Sequence, residues 1–291
     1  MTVVVDFRFR PPIEGYRERD VMYRDADRTG ELARQCGMKP TPVLMSRRLD
    51  DAIAEMDAAG VAIGVVPARR GVPVHGGDVV TNEEIAQLVR AHPGRFVGVA
   101  AVDLTRLPDA AIELEALLRR PEFGAAMIEP GIASTPISPD DRSLYPIYEI
   151  VRAQGRPISI SFGGNAVPDV GFSHPVAIDR VAKDFPDLRI VVAHGAWPWV
   201  HQILHVAHRR RNVYLEPGHY VFGYAGWRDY VDAGNGYLSD RILFASTYPY
   251  LPLAAAVERY GTLFDERVVD GILGGNAREL LGLPAAPRRR A

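Results

Sequence analysis

Residues 174–200 read HPVAIDRVAKDFPDLRIVVAHGAWPWV, and this one stretch carries a helix signal that runs directly into a strand signal. Pro175 suits a first helical position, where a missing N–H costs nothing, and Val181, Ala182 and Phe185 then fall on one stripe. RIVVAHG at 189–195 is a branched apolar run with little alternation, the pattern of a strand covered on both faces. A helix followed by a doubly covered strand is the repeating unit of a parallel α/β fold, so its recurrence decides the architecture.

The strand signal occurs eight times. Runs of this kind stand at 3–9 (VVVDFRF), 61–68 (VAIGVVPA), 96–103 (FVGVAAVD), 125–130 (AAMIEP), 157–163 (PISISFG), 189–195, 212–218 (NVYLEPG) and 242–247 (ILFAST). Between them, Leu49, Ile53 and Met56 share a helical face that Gly60 ends. Thr81 and Glu84 have capping-box spacing ahead of Ile85, Leu88 and Val89. Eight alternations predict a closed α/β fold, a (β/α)8 TIM barrel, as one domain over residues 1–285. An open doubly wound sheet would need a glycine-rich turn after its first strand, where Arg8-Phe9-Arg10-Pro11-Pro12 stands instead. Residues 11–43 form the longest piece between a strand and its helix, with Tyr16, Arg17, Arg19, Tyr23 and Arg24 in it. Such a first βα loop either lies over the barrel mouth as a lid or packs on the partner subunit of a homodimer, and the sequence leaves both open.

Bulk composition removes several function classes. With 34 basic and 36 acidic residues the net charge is -2, which gives no field for nucleic acid. Hydrophobic residues at 47% and charged residues at 24% fit a soluble globular protein. No apolar run reaches membrane-spanning length and MTVVVDFRF lacks a secretory layout, so a cytoplasmic location is expected. A single cysteine, Cys36, excludes an internal disulfide and a Cys-rich metal site. Arg288, Arg289 and Arg290 read as a solvated, disordered tail over 286–291. His201, His205 and His208, followed by Arg209-Arg210-Arg211, read as the polar face of an outer helix rather than a metal site.

In a barrel the chemistry sits at the carboxyl ends of the strands. Those ends offer Asp6, Arg8 and Arg10, then Arg69 and Arg70, Asp103, Glu129, Ser161, His194, Glu216 with His219, and Thr247 with Tyr248. Period-two alternation puts Asp6, Arg8 and Arg10 on one face, and Asp6 reads as a group that orients loop backbone. Guanidiniums do not discharge, so Arg8 and Arg10 in a barrel mouth need anions. Those anions are the strand-end acids or a bound ligand. Glu129 and Glu216 therefore read both as structural partners of arginines and as catalytic carboxylates.

The chain also resembles the amidohydrolase superfamily, in its amidohydrolase-related (amidohydrolase 2) branch with the aminocarboxymuconate-semialdehyde decarboxylase-like enzymes. The resemblance runs through VVDFRFRPP at 4–12, the stretches at 139–164 and 174–200, NVYLEPG, ILFASTYPY at 242–250 and GILGGNARELLGL at 271–283. It implies the barrel and chemistry on small carboxylate-bearing molecules. At the positions where the family holds its metal, the resemblance finds Arg8, Arg10, Ser161 and Thr247, with only His194 matching. It thus implies a hydrolase of a small anionic organic substrate, a lactone or amide, working without cofactor. His194, Glu129 and Glu216 would be catalytic, and Arg8, Arg10, Ser161, Thr247, Tyr248 and His219 would bind substrate. Three alternatives stand beside it: a decarboxylase or other lyase of an aromatic or muconate-type acid, a rebuilt zinc site, and a non-catalytic anion binder. The zinc site would use His194 with Glu129 or Glu216, and possible help from His219.

Overall fold

Seven of the eight apolar runs pair in sequence order as parallel strands in the computed structural model, which describes residues 3–72, 80–162 and 167–284. They are β1 (Val4–Asp6), β2 (Val61–Pro67), β3 (Phe96–Ala101), β4 (Phe123–Ile128), β5 (Ile158–Ser161), β6 (Ile190–Ala193) and β7 (Val213–Glu216). The eighth run closes the ring without becoming a regular strand. Leu215 exchanges hydrogen bonds with Arg241 and Leu243 (both 2.9 Å), and the Phe7 amide donates to the Phe244 carbonyl (2.9 Å). The Phe244 amide turns away to the Ile272 carbonyl (3.0 Å), so no continuous ladder forms on that side. The result is the α/β TIM barrel that the strand count predicts.

Valine, leucine and alanine side chains from alternate strand positions fill the barrel interior, among them Val5, Val65, Val99, Ala125, Val191, Leu243 and Ala245. The last helix, Asn276–Leu281, packs Ala277 and Leu280 onto this cluster. Gly274, just before it, lies so close to β1 that a Cβ would meet the Val3 carbonyl oxygen at 1.9 Å. Only glycine permits that approach. A larger apolar layer lies between strands and outer helices.

The helical expectations hold locally. Helix Leu49–Ala58 buries Ala52 and Met56 and is followed by Gly60 at φ 69. Helix Asn82–Ala91 opens with the complete Thr81–Glu84 capping box. Pro175 stands one position earlier than expected, immediately before helix Val176–Asp184. His201, His205 and His208 are exposed on helix Val200–Arg209, where His201 lies 3.3 Å from Asp229. Among the described residues no helix is long and apolar enough to cross a membrane. The tail at 286–291 lies outside the described residues.

The first βα loop is built rather than loose. The buried hydroxyls of Tyr16 and Tyr23 donate to the carbonyls of Pro67 and Arg10, the second at 2.6 Å. These bonds fix the root of the loop to the ends of β1 and β2. Beyond them, helix Ala26–Gln35 lies across the barrel mouth and turns Arg28, Leu32 and Gln35 toward the cavity beneath.

Candidate active site

A cavity of about 400 Å³ opens at the carboxyl ends of the strands. Arg8, Arg10, Glu129, Ser161, His194, Glu216, His219 and Thr247 all line it, so the structure brings these sequence candidates together. Tyr248 is the exception. Its ring stacks on Phe9 at 4.7 Å and its hydroxyl donates to Glu55 (3.0 Å), behind the cavity wall. Thr247 has left-handed backbone (φ 57), which redirects the chain, and Tyr250 takes the place at the cavity instead.

The first-strand arginines arrive by a different route from simple alternation. β1 ends at Asp6, whose carboxylate accepts the amides of Arg8 (3.1 Å) and Ser246 (3.0 Å) and the Ser246 hydroxyl. Asp6 thereby bends the chain, and Phe7 and Arg8 both reach the cavity although they are neighbours. Asp6 itself is fully buried against Ser246, so it does not share the face of Arg8 and Arg10. Burial raises its carboxyl above the usual range, against the hydrogen bonds it accepts.

Arg8 is the hub. Its Nη2 pairs with Glu216 Oε2, and its Nη1 lies 3.0 Å from Nδ1 and 2.7 Å from Nε2 of His194. Donation into the imidazole requires a neutral ring. Burial, with Arg8 as the next cause, holds His194 well below the usual histidine range. His219 falls to about 3, again through burial first and then Arg8 and Arg10. Glu216 goes the other way: burial outweighs the attraction of Arg8 and lifts it to about 7. Its Oε1 has no hydrogen-bond partner, and a Cβ on Gly218 (φ 58) would stand 2.9 Å from that oxygen. The Glu216 carboxyl and the glycine backbone therefore need each other's space.

The remaining charges are arranged separately. Arg10 donates Nε and Nη2 to the carbonyls of Tyr248 (3.0 Å) and Thr247 (2.8 Å) and lies 5.1 Å from the Tyr250 ring centre. Arg69 makes a two-pronged pair with Glu129 at 3.1 and 2.8 Å, so both Glu129 oxygens are taken. One wall is aromatic: Tyr220 stacks on Trp197 (4.9 Å, 10°) and packs 4.1 Å from His219. Burial raises the Tyr220 hydroxyl to about 12, so it stays a neutral donor.

Sequence reasoning left Tyr220, Tyr224, Tyr250, Arg28, Leu32 and Gln35 out of the cavity. For the first two the signal was present: Tyr220 and Tyr224 follow His219 directly in HYVFGY. The backbone also marks the site. His194 (φ 63) and Thr247 (φ 57) are two of four non-glycine residues with left-handed backbone among those described, and both line the cavity.

The donor set does not fit a divalent cation. Among the described residues no three of His, Cys, Asp and Glu come together as a ligand group. Glu129 is held by Arg69, and a guanidinium occupies the approach to both His194 nitrogens. The zinc alternative from the sequence would need Arg8 to leave His194 and Arg69 to leave Glu129.

Comparison with known proteins agrees with the barrel. A family model described as amidohydrolase matches residues 25–283. An uncharacterized TIM-barrel protein from Bordetella bronchiseptica is 37% identical, with TM-score 0.89 over 96% of this chain and 98% of that one. The 5-carboxyvanillate decarboxylase of Sphingomonas paucimobilis is 18% identical, with TM-score 0.67 over 98% and 100% of the two chains. A dihydroxybenzoic acid decarboxylase from a Polaromonas species, with bound manganese and the inhibitor 2-nitroresorcinol, is 19% identical, with TM-score 0.67 over 100% of both chains. No curated protein matches the chain.

Proposed function

The chain belongs to the amidohydrolase family, and from that premise we propose that it is a carbon–carbon lyase of the decarboxylase kind, acting on a small ring-bearing carboxylate. The observation that carries this reading is the contents of the cavity. Buried Arg8 and Arg10 line the cavity with an acid, Glu216, lifted to about 7, whose Oε1 has no partner and can deliver a proton inside the cavity.

Hydrolysis, which the sequence put first, needs a base on water, and among the described cavity groups Glu216 Oε1 and the weakly basic His219 are the ones left open for that role. His194 is a weak base, held neutral and engaged by Arg8, while the Thr247 hydroxyl donates to the Ser246 carbonyl. Glu129 has both oxygens on Arg69. Decarboxylation makes different demands. The bond from ring to carboxyl carbon breaks, carbon dioxide leaves, and the electron pair stays on the ring. A proton then joins the ring carbon, so one proton is consumed per turnover. Arg8 would stabilise the negative charge spread to a ring oxygen, Arg10 would hold an anionic oxygen of the substrate, and Glu216 would supply the proton. The similar decarboxylases support this reading at the level of fold.

The test is release of labelled carbon dioxide from carboxyl-13C 5-carboxyvanillate and dihydroxybenzoates. The wild-type protein is expected to release it, and Arg8→Ala to lose roughly 100-fold or more in rate. Water oxygen entering a ring-opened product without carbon dioxide would replace this reading with hydrolysis. Binding of the acids with no turnover would leave an anion-binding protein.

A further inference from the structure

Four arginines line the cavity against two carboxylates, and the surplus is placed at two depths. Arg8 is matched by Glu216, and Arg69 by Glu129. Among the described residues no carboxylate pairs with Arg10 or Arg28. Arg10 is buried, 8% exposed, and meets only neutral carbonyls and the Tyr250 ring. Arg28 is exposed at the mouth, on helix Ala26–Gln35. It shares the cavity-lining face with Leu32 and Gln35, at spacings of four and seven residues, so its place over the opening follows from helix geometry. The pinned loop root, where Tyr23 holds the Arg10 carbonyl, ties this helix to the deeper arginine.

A buried cation without an anionic partner is a standing demand for one, and a hydrated cation at the rim needs none but attracts a second anion that reaches it. We infer that the substrate is a ring acid with two anionic groups, and that Arg28 is the specificity-determining residue that pairs with the outer one while Arg10 takes the inner one. This rests on the carboxylate-binding reading of the cavity and adds the substrate class. A cavity of about 400 Å³ accommodates one ring with two such substituents. A monoacid would satisfy Arg10 alone. Arg28 touches no reacting bond in this scheme.

The experiment is titration calorimetry of the full chain with benzoate and with isophthalate, which has two carboxylates on one ring. Wild-type protein is expected to bind isophthalate about tenfold more tightly than benzoate. Arg28→Gln should lose that preference while benzoate affinity stays within about twofold, and Arg28→Lys should keep part of it. Arg34→Gln makes the same charge change on the same helix, outside the cavity, and should leave the preference intact. Equal wild-type affinity for the two acids, or an Arg34→Gln effect as large as that of Arg28→Gln, would overturn the inference. Carbon dioxide release could continue in that case, so the functional reading would survive it. Failure of both acids to bind the wild-type protein would overturn both.

Discussion

His194 and His219 sit in one wall with two arginines, and that neighbourhood makes protonation of either ring costly. In the unfolded chain both would titrate near 6.5, so below that pH the unfolded state binds more protons than the folded one. Stability therefore falls as pH drops from 6.5, and for His219 the loss continues to about 3. Glu216 has the opposite sign. Raised from 4.5 to about 7, it keeps a proton in the folded state that the unfolded state releases, so stability declines as pH rises through that window. Between 4.5 and 6.5 the two histidines therefore pull the slope upward with pH, while Glu216 and the raised carboxyl of Asp6 pull it down. His219→Gln should lower that slope by about 1.4 kcal/mol per pH unit between about pH 5.5 and about pH 4. Urea unfolding at stepped pH measures this, and an unchanged slope would mean that His219 takes up its proton in the folded state. Strand-end residues such as His194 and Glu216 were legible in the sequence because a barrel turns the end of each strand toward one place. Tyr248 was misread because the left-handed backbone at Thr247 breaks the side-chain order, which strand periodicity alone does not reveal.

At the scale of elements, the first βα loop shows why its inner face escaped the sequence. Helix Ala26–Gln35 reads ADRTGELARQ, with only Thr29, Gly30 and Ala33 buried. Its cavity face carries Arg28, Leu32 and Gln35, two long polar side chains and one leucine, a composition indistinguishable from a solvent face. The length of the loop and its tyrosines were visible, but their bonds cross to strand ends far away in sequence. Those bonds give a test of how the loop positions Arg10. Tyr23→Phe removes the hydroxyl and leaves the buried Arg10 carbonyl without this donor (2.6 Å), at a cost of about 1 to 2 kcal/mol. The variant should also bind benzoate several-fold more weakly, through looser placement of Arg10. Faster amide exchange in residues 14–35 would accompany both effects; normal exchange with weakened binding would place the defect elsewhere.

Across the whole molecule, the closed barrel was legible because each strand is covered on both faces and repeats the same signal, while the irregular form of its closing run was not. The eighth run looks like a strand in composition, yet its hydrogen bonds divide between β7, β1 and the carbonyl of Ile272. The strand ends converge on a centre held by Arg8, and this bears on metal dependence. A cation bound to His194 would lie roughly 2 Å from its nitrogen and within about 4 Å of the guanidinium. At an effective dielectric of about 20, a divalent ion and Arg8 would then repel by ~8 kcal/mol. Binding would require Arg8 to leave both His194 and the buried Glu216, which would then lose its partner. Exhaustive dialysis against EDTA is therefore expected to leave the melting temperature, benzoate affinity and carbon dioxide release unchanged, and added manganese or zinc should raise none of them. Stoichiometric metal in the purified protein by mass spectrometry, with turnover lost on its removal and restored on its return, would mean that Arg8 swings away from His194 when the site is loaded.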